Sequence, residues 1–182
     1  ADAGTRWSYH NAPYTLMNTV ISNATSQNFN TYISNKLGTP CGISGLFVTF
    51  GYNKVFVSKT RSFARFGLLL LGQGSWNGTP ILNDPNYFNA MTNSSQSINP
   101  SYGYLTWLNG KSSFMVPGLQ FSFSGSLVPD APSDMYAALG KNGQIINVVP
   151  SQNIVMVRMG EGDNTTLVGT QYNDSIWIRI ND

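Results

Sequence analysis

Three observations predict an α+β fold. Apolar residues recur at helical spacing through the first half, strand-like runs fill the second, and a polar loop at residues 83–100 separates them. Pro13 sits where a first helical turn tolerates it, and Tyr14, Met17, Val20 and Ile21 follow on one helical face. Phe29, Tyr32, Ile33 and Leu37 repeat the spacing, with Ser26 or Asn28 as the cap and Gly38 and Pro40 as the stop. Residues 46–50 and 55–57 read as a hairpin or an extended excursion around Gly51-Tyr52-Asn53-Lys54. A third helix spans residues 61–71 and ends at Gly72. Strands are expected at 102–109, 119–123, 135–139, 144–149 and 154–159. The last two are joined through the turn Pro150-Ser151-Gln152-Asn153. The C-terminal segment leaves two readings open: Ile176, Ile178 and Ile180 alternate as in a strand, whereas Asp174 could cap a helix.

With 182 residues the chain can bury a real core. Only 10% of it is charged, well below the usual quarter, and Asn, Ser, Thr and Gly fill the gap. Such a surface points to an exported protein, periplasmic or extracellular. The net charge of +2 is spread over lysines that never cluster, which excludes a nucleic-acid footprint. Cys41 is alone and reads as a buried structural thiol, and a single histidine builds no Cys/His metal set. No metal and no cofactor are expected. No signal peptide is recognised, and the longest apolar run, residues 66–71, falls far short of the roughly 18 residues a membrane span needs. Glycosylation sequons at Asn23, Asn77, Asn93, Asn164 and Asn173 would matter only in a eukaryotic secretory pathway.

The chemistry-bearing stretch is Gly4-Thr5-Arg6-Trp7-Ser8-Tyr9-His10-Asn11. It resembles the "PGt-w-Y-x-N" segment of the class C β-lactamase-related serine hydrolases, which include penicillin-binding proteins, esterases and hydrolases of 6-aminohexanoate oligomers. Further matches follow in family order. Leu37-Gly38-Thr39-Pro40-Cys41-Gly42-Ile43 resembles "lG-PLGM", and Ala64-Arg65-Phe66-Gly67-Leu68-Leu69 with Gly74-Ser75-Trp76-Asn77-Gly78 resembles "ARFGLL…G-W-G". Tyr102-Gly103-Tyr104-Leu105-Thr106-Trp107-Leu108-Asn109 resembles "YGYgWW-n". Ala138-Leu139-Gly140-Lys141-Asn142-Gly143-Gln144 with Val148-Val149-Pro150 resembles "a-G-x-x-G-Q-i-v-v-P".

The resemblance implies a partial β-lactamase/transpeptidase-like fold: a helical-lobe portion over 1–98, then an antiparallel sheet and C-terminal element over 99–182, together one incomplete domain. It also implies acyl transfer, in which a serine attacks a carbonyl while a lysine three residues on and a tyrosine phenol manage its proton. A phenol acts as a base near neutrality only if cations favour its ionised form. Tyr9 matches that general base, and Asn11 matches the amide that holds substrate. His10 fills the variable middle position. Taken without the family, Tyr9 reads as a buried or cap-region aromatic. Lys141-Asn142-Gly143 stands where the family has Lys/His-Thr/Ser-Gly. On that match Lys141 supplies a cation near the phenol and the substrate carboxylate, Gly143 lets substrate approach, and the Gln144 N–H donates to the oxyanion. Asn142 departs from the pattern, which favours an esterase or small amide hydrolase over a true β-lactamase. Asn-Gly between apolar runs is equally the signal of a two-residue hairpin turn. Ser62 stands where relatives carry Asp, and Arg65 reads as an ion-pair or carbonyl-binding residue.

The nucleophile motif is absent. Three residues before the lysines stand Ile33, Gly51, Phe56, Leu108 and Ala138, so no Ser-x-x-Lys exists in the chain. The opening Ala1-Asp2-Ala3-Gly4 resembles the middle of a domain. The chain is therefore expected to be the C-terminal portion of a serine hydrolase, inactive alone. A protein partner or self-association would cover its bare sheet edge and apolar face. Its substrate, once completed, would be a small amide, ester or lactam. The competing reading is a non-catalytic half-fold that binds a partner or small ligand in a cleft lined by Trp7, Tyr9, Tyr104 and Trp107.

Overall fold

Local signals start most of the helices. The structure, a computed structural model, describes residues 1–162 and 168–182. Helix α1 (Ala12–Thr25) carries Pro13 in its first turn and ends where Ser26 turns left-handed. Helix α2 (Phe29–Ile33) is capped by Asn28, whose side chain accepts the Asn30 and Thr31 N–H groups at 3.0 and 3.2 Å. Gly38 and Pro40 do not stop this helix. The backbone widens into a π-helical stretch, Ser34–Gly38, and continues as α3 (Thr39–Cys41). Pro40 falls in the first turn of that new segment, where its missing N–H costs nothing. The actual stop is Gly42 at φ 63°, held by Arg65, which donates to its carbonyl at 2.7 Å.

Strands β1 (Gly45–Phe50) and β2 (Asn53–Ser58) form an antiparallel hairpin closed at Phe50↔Asn53. Asn30 pins it to α2 by bonding both the N–H and the C=O of Phe47, at 2.7 and 3.0 Å. Helix α4 (Thr60–Leu71) ends at Gly72, as the sequence predicts. Ser62, near its start, accepts the Ser44 N–H at 3.1 Å and so ties the helix to the hairpin. After the small pair β3 (Ser75–Trp76) and β4 (Thr79–Pro80) comes a helix in the expected polar loop, α5 (Pro85–Met91), capped by Asp84.

The sheet has the order β10-β9-β8-β5, all antiparallel: β5 (Trp107–Leu108), β8 (Tyr136–Gly140), β9 (Gln144–Val149) and β10 (Ile154–Arg158). A separate pair, β6 (Ser113–Phe114) and β7 (Phe123–Ser124), stands apart. The strands expected at 102–109 and 119–123 thus shrink to two-residue pairings. Leu105 at φ 51° breaks the first run, and buried side chains replace ladder bonds around it. Asn109 accepts the Val128 N–H at 2.9 Å and donates to the Val128, Ala131 and Pro132 carbonyls. The C-terminal segment is a helix, α6 (Thr170–Asn181). Asp174 does not cap it but lies inside it, accepting the Asp130 N–H at 2.8 Å.

Strand alternation sends the sheet residues to two faces. Leu108, Tyr136, Ile146 and Val148 pack with Leu70 and Phe66 of α4. Trp107, Ala137, Leu139, Ile145 and Val149 pack with Trp177 of α6. Trp7, from the opening segment, joins the α6-side core, and α4 serves the other, so residues 1–98 and 99–182 share their cores. Asn147 on β9 and Asn173 on α6 exchange bonds at 2.7 and 3.1 Å, both fully buried. The Asn173 sequon is closed by that pair, and Asn164 lies outside the described residues. Cys41 is buried at 1% exposure, and burial pushes its thiol up. Leu16, Met17 and Val20 of α1 face solvent, although they are apolar. Among the described residues no helix is long and apolar enough to cross a membrane.

Candidate functional site

Tyr9 reaches its position by aromatic packing. Its ring stacks on Trp107 of β5 at 5.9 Å and 20°, and meets Trp7 and Tyr102 at 6.2 Å each. Tyr102 packs edge-on to Trp107 at 4.8 Å, which closes the group. The segment carrying Tyr9 is anchored by Gln120, which donates to the Trp7 carbonyl and accepts from Arg6 Nε, each at 3.0 Å. His10 Nδ1 accepts the Ala12 N–H at 3.0 Å, so the imidazole takes part in starting α1. Asn11 donates to Asn53 Oδ1 at 3.1 Å, and the Tyr14 hydroxyl reaches the same oxygen at 3.4 Å. The loop before α1, the hairpin β1–β2 and the sheet strand β5 therefore meet around Tyr9 and Asn11.

This environment favours a neutral phenol. Burial, and secondarily the neighbouring Tyr14, raises the Tyr9 pKa above its ordinary value. Burial, and secondarily Tyr9 itself, raises Tyr102 further. Among the described residues no hydrogen bond, ion pair or cation–ring contact joins Lys141 to Tyr9, and Lys141 is exposed.

Lys141, Asn142 and Gly143 form the turn between β8 and β9, a three-residue loop rather than the expected two, closed at Gly140↔Gln144. Asn142 (φ 61°) and Gly143 (φ 69°) are both left-handed, which suits Asn and Gly. Arg158 holds this turn, donating to the Asn142 and Gly143 carbonyls at 3.2 and 3.1 Å while its guanidinium lies 5.0 Å from the Tyr172 ring centre. A Cβ on Gly143 would sit 3.1 Å from Arg158 Nη1. The bare backbone at Gly143 thus accommodates this chain's own arginine. Gln144 uses its side chain to donate to the Gly160 carbonyl at 2.6 Å and to accept the Gly160 N–H at 3.1 Å.

Of the aromatics expected to line a cleft, Trp7, Tyr9 and Trp107 come together, but Trp107 is only 2% exposed and belongs to the core. Tyr104 lies elsewhere, exposed and packed 5.9 Å from Tyr87. Tyr102 and Asn53 join the group without any sequence spacing that announces them. Among the described residues no group of three His, Cys, Asp or Glu side chains is placed to hold a metal. A wide concavity of about 540 Å³, lined by residues such as Asp130, Asp134 and Ser151, includes none of these site residues. Asp134 is already engaged there by the Ser151 N–H and hydroxyl.

No family model and no curated protein sequence matches the chain. Solved structures do. A "Putative 6-aminohexanoate-dimer hydrolase from Bacillus anthracis" superposes with TM-score 0.68 at 21% identity, over 100% of this chain and 44% of that one. A "putative beta-lactamase from Bacteroides dorei DSM 17855" gives TM-score 0.65 at 14% identity, over 98% of this chain and 60% of that one. The α+β fold is β-lactamase-like, and the chain spans about half the length of these proteins.

Proposed function

We propose that this chain is the base-bearing C-terminal portion of an exported serine hydrolase. The complete enzyme cleaves a small amide, ester or lactam through an acyl-serine intermediate. The observation that carries the proposal is the docking of the Tyr-x-Asn segment, Tyr9 stacked on Trp107 of the sheet and Asn11 bonded to Asn53 of the hairpin, within a β-lactamase-like fold. In the mechanism a serine outside residues 1–182 is deprotonated by the Tyr9 phenolate and attacks the carbonyl. Tyr9 then returns the proton to the leaving group, and water hydrolyses the acyl-enzyme. Asn11 orients the substrate amide, the Gln144 N–H donates to the oxyanion, and Lys141 faces the substrate carboxylate. Burial favours the neutral phenol, so the base form requires a cation brought beside Tyr9 by the nucleophile's own lysine.

That same preference favours a second reading for residues 1–182 alone, a non-catalytic half-fold that binds a partner chain or small ligand. The two separate by covalent labelling. The isolated chain incubated with a fluorophosphonate or a chromogenic β-lactam is expected to show no stoichiometric adduct in intact mass. The natural translation product that contains it is expected to be labelled. An adduct on the isolated chain overturns the absence of a nucleophile, and an unlabelled natural product leaves the binding module.

A further inference from the structure

We infer that Arg158 is the positioning residue for the oxyanion donor, its guanidinium fixing the peptide unit that carries the Gln144 N–H. The catalytic side of this inference rests on the proposed function; the fixing of the peptide does not.

The turn that carries this N–H has little rigidity of its own. Asn142 and Gly143 stand left-handed at φ 61° and 69°. Glycine takes either sign of φ about equally well, so local sterics do not fix the unit joining Gly143 to Gln144. An external hold decides its orientation, and Arg158 supplies one. The register Arg158↔Ile145 sets the arginine on the neighbouring strand, beside the residue that follows Gln144. From there Nη1 donates to the Gly143 carbonyl at 3.1 Å and to the Asn142 carbonyl at 3.2 Å.

The Gly143 carbonyl and the Gln144 N–H belong to one planar trans peptide and point to opposite sides of it. Drawing the oxygen toward Arg158 therefore aims the N–H away from the guanidinium. The cation also polarises the peptide through its carbonyl, which strengthens the N–H as a donor. The guanidinium is itself held in place. Nη1 also donates to the Gly160 carbonyl, Nη2 donates to the Glu161 carbonyl, and the Tyr172 ring centre of α6 lies 5.0 Å away. The Gln144 side chain is fastened to the same segment by its two bonds to Gly160, at 2.6 and 3.1 Å. A donor fixed before charge develops needs no reorganisation during the reaction, which is what an oxyanion site requires. A lysine would bring the charge without the planar fork that reaches several carbonyls at once.

The test uses the natural translation product as parent, Arg158→Gln and Arg158→Lys. The residual dipolar coupling of the Gln144 N–H reports the direction of that bond, with the Ile146 N–H as the internal control. Fluorophosphonate labelling and ester turnover report the chemistry. Arg158→Gln is expected to change the Gln144 coupling, leave that of Ile146 in place, and slow labelling by about tenfold or more. The ester kcat falls with it while KM holds, because the lost interaction belongs to the transition state. Arg158→Lys falls between parent and Arg158→Gln. An unchanged Gln144 coupling overturns the inference, as does a changed coupling with labelling at the parent rate, or a loss carried by KM alone. Should Arg158→Gln show no urea transition, Arg158→Lys decides: a changed coupling with slowed labelling supports the role, and parent values overturn it. A parent that is not labelled removes the hydrolase and the oxyanion role together, whereas a labelled parent with unslowed variants removes the role of Arg158 alone.

Discussion

Gly67 decides how closely α4 can lie on the sheet, and Gly67→Ala puts a number on that contact. A methyl group there collides with Val155 of β10 and stands 3.2 Å from Ile146 Cγ2 of β9. Two effects oppose one another. Alanine gains about 0.8–1 kcal/mol over glycine inside a helix, whereas overpacking a filled core costs about 1–3 kcal/mol. Val155 is β-branched and stiff at χ1, so rotation does not relieve the clash. The helix must instead lift, loosening the packing of Leu70 against Tyr136 and Ile146. The expected net loss is up to about 2 kcal/mol. In urea it appears as a lower midpoint with an unchanged slope. Val155→Ala removes the colliding group, so the double variant should exceed the additive expectation by about 1 kcal/mol. A Gly67→Ala chain more stable than the parent would mean that helix propensity wins and that α4 does not press on β10.

Other outcomes follow from buried polar groups and from one turn. Asn147→Ala or Asn173→Ala leaves a buried amide unpaired and should cost about 1–3 kcal/mol each, the double variant costing less than the sum, as read by urea unfolding. Burial, then the charge of Asp134, raises the Tyr136 phenol from 10.0 to about 12 while it donates to the Leu70 carbonyl at 2.9 Å. The folded chain holds that proton more tightly, so this contribution is intact below pH 10 and is lost as pH rises toward 12. Tyr136→Phe should flatten stability over that window in alkaline melts. Gly143→Ala combines a left-handed backbone with a contact to Arg158, and should lower stability by about 1–2 kcal/mol in the same assay.

Elements with strong local chemistry were legible in the sequence. The Asn28 cap, Pro13 in a first turn, Gly72 at the end of α4 and the Pro150–Asn153 turn act through neighbours a few residues away. The misreadings share a different cause. In the sequence Pro40 has the look of a stop, because spacing cannot foresee a π-helical widening that moves it into a new first turn. The run at 102–109 alternates like a strand, but Asn109 and Asn99 spend their amides on distant backbone, and that pairing is invisible locally. Asp84-Pro85 was a readable helix start hidden by the polar composition around it. At the candidate site, a motif points to Tyr9 and Asn11. Asn53 and Tyr102 reach them only through tertiary packing, and no spacing encodes it.

The central claim is that Tyr9 serves a nucleophile carried outside residues 1–182. The most direct measurement is peptide mapping of the fluorophosphonate adduct in the natural translation product, for the parent and for Tyr9→Phe. The account predicts a single labelled serine outside residues 1–182 and labelling slowed by about 100-fold or more without Tyr9. A labelled serine within residues 1–182, or a Tyr9→Phe protein labelled at the parent rate, would contradict it.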